Sequence, residues 1–454
     1  MPKRGKGRGV PVRLTAVGEG YSLPVSSESL SPPPLPAARE GVNTPVPDPR
    51  ARAHAPVSDA PGTHGARAPA PPAPSTARAP AAAAGPGAAE AERLLVLSAS
   101  MGAGHDTVAA ELARRARAAG GQAHVVDVLQ LLPRGLGSGL RGFYQGAVRH
   151  CPWVYAGIYD FFLRPGPSPR PSGTPLARLA ARPLMELVRR TRADVVVSVF
   201  HLAAQLTGHL RERGVLEVPG AVVIVDFAVH RQWLHPGNDL HLCLTEETAR
   251  QVARGLGRPA EAVGPVVAPE FFAEGPTTPG WRRRLERAAP GRPAVLVSAG
   301  AWGAGERLPG TARLLAAHGF APVVLCGRNE RLRRALSGVP GVLTPGWVTD
   351  MPGLLHACAA LVDNAAGQTA VQALAAGLPV VAHRPLPGHG AEGVRRMAAL
   401  GVSEFAADEA ALLGALDRLT RPGPERERRI AAGRALFRAD ALARLVRAEA
   451  VPRT

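Results

Sequence analysis

Residues 94–105 read LLVLSASMGAGH, and the reading of this stretch decides the fold. Five apolar or small residues of strand character give way to a glycine loop closed by His105. Residues 106–120, DTVAAELARRARAAG, then spell an alanine-rich amphipathic helix. A buried strand entering a helix through such a loop is the first βα unit of a doubly wound domain. Gly102 and Gly104 let the backbone approach a ligand closely, and the helix start offers unpaired N–H groups to an anion. His105 is expected at the mouth of the strand ends, where such domains bind their ligands.

The same unit recurs along the chain. Strands are expected at 123–128, 194–199, 220–225, 240–245 and 261–267. The second of these ends at Phe200-His201, and the third at Asp226, with His230 and Trp233 just beyond. Residues 273–292, with Gly275, Pro276, Pro279 and Pro290, read as a crossing into a second domain. Beyond it, strands are expected at 294–299, 321–326, 341–344, 359–363 and 378–382. Their following loops hold Gly300, Gly303, Gly327, Asn329, Val348, Gly367, Gln368, Thr369, Gly388 and His389. The expected architecture is α/β, with two Rossmann-like domains facing one cleft. Its divisions are 1–92, a disordered Pro/Ala-rich tail; 93–275, an acceptor-side domain; 293–422, a donor-side domain; and 423–454, a basic C-terminal helix. Residues 1–92 show no apolar periodicity and hold runs such as SPPPLP, too poor in core-forming residues to offset the entropy of ordering.

Composition narrows the class. The 454 residues carry 54 Lys and Arg against 36 Asp and Glu, a net charge of +18, and are 46% hydrophobic. That charge suits nucleic acid, an anionic membrane surface or a phosphorylated substrate, and an arginine-rich coding bias also produces it. No apolar run reaches the roughly 18 residues of a spanning helix. The basic start MPKRGKGRG has no apolar stretch of about 7–15 residues after it, so no secretory signal is expected. Cys151, Cys243, Cys326 and Cys358 lie far apart without a CxxC pair, which argues for a reduced compartment and against a structural zinc site. Residues 143–162 hold seven of the nineteen aromatics, among arginines 134, 141, 149, 164, 170 and 178. Interleaved rings and guanidinium groups suit a membrane interface, and a buried aromatic cluster beneath a lid fits equally.

From about residue 93 to 420, the motifs resemble the monogalactosyldiacylglycerol synthase and diacylglycerol glucosyltransferase family. These are inverting glycosyltransferases of the two-domain GT-B fold, related to the enzyme that adds N-acetylglucosamine to lipid I. SASMGAGH is similar to the family's acceptor-facing glycine loop, and VDFAVHRQW (225–233) to its D-F-x-x-H-x-x-W element. VLCGRNERL, PGWVTDMPGLLHACAALV and GQTAVQALAAGLPVV follow in the order of its donor domain. The resemblance implies transfer of a hexosyl group from a nucleotide-diphosphate sugar, a UDP-sugar foremost, to a lipid such as diacylglycerol. It implies neither a cofactor nor a bound metal, and no nucleic acid as partner.

On this reading His105 is the base, with Asp226 as its partner or as an alternative base, while a strand-end carboxylate capping the next turn also fits Asp226. Gly102, Gly104, His230 and Trp233 line the acceptor side, where a packed His–Trp pair is the other reading of the last two. Gly300, Gly303 and Gly367–Thr369 offer N–H groups to the diphosphate, Gly327, Asn329 and Val348 complete the nucleotide site, and Gln372 takes the ribose hydroxyls. The chain departs from the family in the donor loops. Where the family reads K-P-G-G-x-T-x-x-E-A, residues 364–373 put Asn364 for the lysine, Ala366 for a glycine and Gln372 for the glutamate. Its P-G-Q-E-E-x-N stretch becomes 387–393, PGHGAEG. A non-lipid acceptor, or a silent binding protein that kept the cleft, are the alternatives these changes leave. The expected location is cytoplasmic, peripheral on the inner membrane face through 134–182 and the C-terminal helix.

Overall fold

The strands that carry the two glycine-loop sets are short and fully buried, as expected for sheets covered on both faces. A computed structural model of the chain describes residues 92–164, 172–258, 260–298, 300, 303 and 307–447. The expected tail lies outside the described residues but for Glu92, as do Arg170 and 448–454 at the C-terminus. The first sheet holds β1 (Arg93–Ser98), β2 (Gln122–Asp127), β3 (Val195–Ser198), β4 (Gly220–Val223), β5 (Leu240–Cys243) and β6 (Glu261–Ala262), in the order β2-β1-β3-β4-β5-β6. The second holds β7 (Ala294–Ser298), β8 (Ala321–Leu325), β9 (Ala360–Asp363), β10 (Val380–His383) and β11 (Ser403–Ala406), in the order β11-β10-β9-β7-β8. Every pairing is parallel. This is the GT-B architecture.

Strand order reverses between β1 and β3 in the first sheet and between β7 and β9 in the second. At such points the following loops diverge to opposite faces and leave a crevice. Register makes the loop starts level, with Leu97 opposite Ser198 and Val297 opposite Val362. The sequence therefore places its glycine loops where the topology opens.

Several boundaries differ from expectation. The first helix begins at Ala103, capped by extended Gly102, so His105 is its third residue and not a residue before it. β6 stops after two residues because Gly264, at φ +82°, turns the chain next to Pro265. A Cβ at Gly264 would lie 2.1 Å from the Leu436 carbonyl, where the C-terminal segment crosses. Residues 341–344 contribute one bridge, Val323 to Leu343, in place of a strand. The single basic helix expected over 423–454 is interrupted: among the described residues it forms Pro424–Arg434 and Ala441–Arg447. Asp440 accepts the Leu442 amide at 3.0 Å and restarts the helix, as an N-terminal cap does. Ala441, Leu442 and Leu445 then pack under the first sheet, against Val108, Leu112 and Val195.

Candidate active site

The side expected to take the acceptor is built from the ends of β1, β3 and β4. Ser98 donates to Asp106 at 2.6 Å, which ties the end of β1 to the first helical turn. His105, one residue before, meets the Val199 carbonyl with Nδ1 at 2.8 Å. A carbonyl only accepts, so Nδ1 carries a proton and Nε2 is the ring atom left to take one up. The His105 ring lies 5.0 Å from Phe200 and 6.3 Å from Trp233, centroid to centroid. The imidazole is thus held in both orientation and tautomer.

Asp226 leaves the end of β4 and accepts the Trp233 indole N–H at 2.8 Å. Its oxygen also stands 3.8 Å from His230 Nε2. The carboxylate contacts Trp233 and His230 directly, whereas His105 takes its orientation from Val199. Trp233 is 0% exposed and His230 is buried, so both shape the cleft wall. His230 Nδ1 has no hydrogen-bond partner among the described residues.

His201, the first residue of the helix after β3, completes the cluster. It packs edge-on to His230 at 4.9 Å and lies 6.2 Å from Trp233. Burial pushes its pKa down to about 3, with smaller contributions from His105 and His389. Burial also holds His230 well below the ordinary histidine value. Both rings are neutral at physiological pH. Sequence reading saw His201 as a strand end and did not assign it to the site; the short run Val199-Phe200-His201, matching β1's run into its loop, was the available signal.

These neutral histidines make stability pH-dependent, and so does His241 in β5, which burial lowers to about 4. Their folded values lie below the ordinary histidine value of 6.5, so the unfolded chain binds protons first as pH falls. Their contribution is whole above pH 6.5 and is lost progressively on acidification toward the folded values. The slope is at most about 1.4 kcal/mol per pH unit for each histidine. The melting temperature should fall between pH 6.5 and 5, and His241→Leu should flatten that fall. An unchanged melting temperature across this window would contradict the assignment.

On the donor side, Gly300 and Gly303 have φ of +63° and +59°. A Cβ at Gly303 would lie 2.3 Å from the Cys326 carbonyl, so no side chain fits there. Asn329 donates to the Gly303 carbonyl at 3.1 Å and caps the following helix through Leu332 N at 3.1 Å. It shapes the loop that Gly300, Gly303 and Gly327 form. Val348 packs on the donor-domain core, next to Trp347, whose ring takes the Arg328 guanidinium at 5.3 Å.

The loop after β9 is drawn tight by Asp363, which accepts the amides of Ala365 and Ala366 at 3.0 and 2.6 Å. Ala366 consequently sits at φ +52°, in the left-handed region where the family's glycine would rest without strain. Gly367 then caps the helix Gln368–Ala375, with Thr369 in its first turn and Gln372 buried behind it. Gln368 donates to the Val266 carbonyl at 3.1 Å, and its Cβ stands 3.4 Å from where one at Gly104 would be. The two glycine loops therefore meet across the cleft.

The aromatic segment proves to have two faces. The helix Pro152–Ile158 and the π-helical turn Tyr159–Leu163 bury Tyr155 and Tyr159 against the donor loop at 388–392. The same segment and its neighbour turn Trp153 (74% exposed), Phe143 (56%) and Phe161 (55%) outward. The burial of Tyr155 and Tyr159 fits the buried cluster that the sequence left open, while Phe143, Trp153 and Phe161 stand exposed. Among the described residues, no helix is long and apolar enough to cross a membrane.

Comparison with known proteins agrees with this geometry. Residues 105–267 match the family model of monogalactosyldiacylglycerol (MGDG) synthase. A processive diacylglycerol beta-glucosyltransferase of Bacillus cereus (strain 03BB102) is 25% identical over 319 residues, covering 65% of this chain and 77% of its own. The protein of the same name from Bacillus subtilis (strain 168) is 23% identical over 219 residues, covering 46% and 56%. The solved glycotransferase of kitacinnamycin superposes with a TM-score of 0.52 at 16% identity, over 79% of this chain and 98% of that one. The glycosyltransferase SnogD from Streptomyces nogalater gives 0.51 at 17%, over 79% and 99%. The chain is a glycosyltransferase of the GT-B fold. Within that class it resembles the monogalactosyldiacylglycerol synthase and diacylglycerol glucosyltransferase family, as its ordered motifs imply.

Proposed function

We propose that the protein transfers a hexosyl group, with inversion, from a UDP-sugar to the hydroxyl of a lipid such as diacylglycerol, while resting on a membrane surface. The observation that carries this reading is His105, whose Nδ1–H is engaged by Val199 so that Nε2 is free to accept a proton. An alcohol is a weak nucleophile at neutral pH, and a positioned base of this kind helps it. The acceptor O–H gives its proton to Nε2 as its oxygen bonds the anomeric carbon. The bond from that carbon to the diphosphate oxygen breaks on the opposite face, and the electron pair leaves with the nucleotide. N–H groups of the helix start at Gly367 suit the departing diphosphate. Asp226 faces the same cluster and favours the imidazolium that forms.

The outward rings at 143, 153 and 161 carry the membrane part of the proposal. Arg134, Arg164, Arg178 and Arg182, in the same 134–182 stretch, are exposed and suit anionic headgroups. The test is transfer from labelled UDP-glucose and UDP-galactose to diacylglycerol in anionic vesicles, beside a soluble alcohol acceptor. A labelled glycolipid supports the reading. Product on the soluble alcohol alone would replace the lipid with a non-lipid acceptor, and nucleotide binding without any product would favour a silent binding protein.

A further inference from the structure

The loop that follows β10 differs most from the family pattern, and it is held from the other domain. Residues 388–392, Gly-His-Gly-Ala-Glu, stand where the resemblance implies side chains that read the sugar hydroxyls. Their two polar side chains, His389 and Glu392, each meet a tyrosine of the acceptor-side segment. The Tyr155 hydroxyl bonds His389 Nδ1, and the Tyr159 hydroxyl donates to Glu392 Oε2 at 2.7 Å. The rings of Tyr155 and His389 also stack edge-on at 5.8 Å, and Tyr144 braces Tyr155 at 5.6 Å.

The fit leaves no slack. Gly388 has φ +76°, and a Cβ there would come within 2.9 Å of the Tyr159 ring and 3.2 Å of the Tyr155 ring. Two rings from one domain therefore press on the backbone of a loop from the other. Burial pushes the Tyr155 pKa well above 10, and burial lowers that of His389 against the pull of Asp226. Tyr155 thus keeps its proton, and when it gives that proton to Nδ1 the neutral His389 ring presents Nε2–H as a donor. Asp226 and His105 lie within electrostatic reach of that ring, so the loop belongs to the same cleft.

We propose that Tyr155 and Tyr159 are positioning residues for sugar recognition, fixing His389 as a hydrogen-bond donor and Glu392 as an acceptor for the hydroxyls of the transferred hexose. The proposal rests on the glycosyltransferase reading above, and adds that the acceptor-side segment completes the donor's sugar subsite. Against the P-G-Q-E-E-x-N pattern His389 stands at the glutamine, Gly390 and Ala391 stand at the two glutamates, and Glu392, at the variable position, is the carboxylate this loop retains. Sugar choice in this chain then depends on four residues drawn from two domains. A loop that reads hydroxyls discriminates epimers only when its donors and acceptors are fixed.

The experiment compares binding of UDP, UDP-glucose and UDP-galactose by calorimetry, using the full chain with Tyr155→Phe, Tyr159→Phe, His389→Ala and the Tyr155→Phe/His389→Ala double variant. Removing one hydroxyl while keeping its ring should leave UDP affinity as in wild type. Affinity for the better UDP-sugar should fall about three- to tenfold, the worth of one hydrogen bond, and the ratio between the two epimers should move toward one. The double variant should be no worse than His389→Ala, because Tyr155 acts through His389. Steady-state transfer should show the loss in donor KM more than in kcat. Unchanged UDP-sugar affinity and epimer ratio in both phenylalanine variants would overturn the proposal. Equal weakening of UDP and UDP-sugars would overturn it too, since that marks a general structural role. A wild type that binds UDP-sugars yet transfers nothing fails the catalytic reading alone, while the binding ratios still decide this one. A wild type that binds none of the three overturns both.

Discussion

His105→Ala should lower kcat for hexosyl transfer by about 10²–10⁴-fold, the usual contribution of a positioned general base, with UDP-sugar affinity preserved. The separation follows from the layout. His105 stands in the first turn after β1, whereas the nucleotide-side glycines stand on the second sheet. Removing the imidazole deletes the proton acceptor and one hydrogen bond to the Val199 carbonyl, so the fold should lose only about 1 kcal/mol. His105→Gln is the sharper companion, since it keeps bulk and polarity but has no basic nitrogen. It should be as slow as alanine. Stopped or steady-state assays with labelled donor read kcat, and calorimetry with UDP reads the donor site. Either variant retaining kcat within threefold would remove His105 from the chemistry. A matching loss of UDP affinity would show instead that the loop, and not the base, had been damaged.

The main lines of the fold were legible because each glycine loop follows a fully apolar strand, as in Leu94–Leu97 and Val295–Val297. Period and length settle such βα units. β11 was not legible: Ser403-Glu404-Phe405-Ala406 is an edge strand whose middle residues face outward, so it lacks the apolar run of a central strand. β6 was over-read because Val266 and Val267 are buried as expected but lie beyond Gly264, outside the ladder. The site was legible where residues near in sequence share a loop, as Asp226, His230 and Trp233 do. It was not legible where partners are far apart. His105 to Val199 spans 94 residues, Tyr155 to His389 spans 234, and Gln368 to Val266 spans 102. Aromatic residues at 155 and 159 gave no sign of facing inward, since rings at 153 and 161, two residues away on either side, face out. That is a helical-phase distinction which a π-helical turn further blurs.

Asp226 should separate into two roles when changed in two ways. In Asp226→Asn the amide oxygen still accepts the Trp233 indole N–H, so packing is retained and the negative charge alone is lost. Transfer should then slow by about 10²-fold, the scale seen when a preorganised electrostatic partner is removed from a buried site. Thermal stability should stay near wild type. Asp226→Ala removes the acceptor as well. Trp233 is fully buried, so its indole N–H is left unsatisfied at a cost of about 1–3 kcal/mol, and the melting temperature should drop accordingly. The asparagine variant tests charge and the alanine variant tests architecture, with His230 at 3.8 Å sharing in both. If Asp226→Asn transfers sugar at the wild-type rate, the carboxylate serves only to hold Trp233, and the imidazolium at His105 is stabilised without it. If it is slow but as stable as wild type, the carboxylate acts on the transition state, because only an interaction stronger there than in the ground state changes kcat.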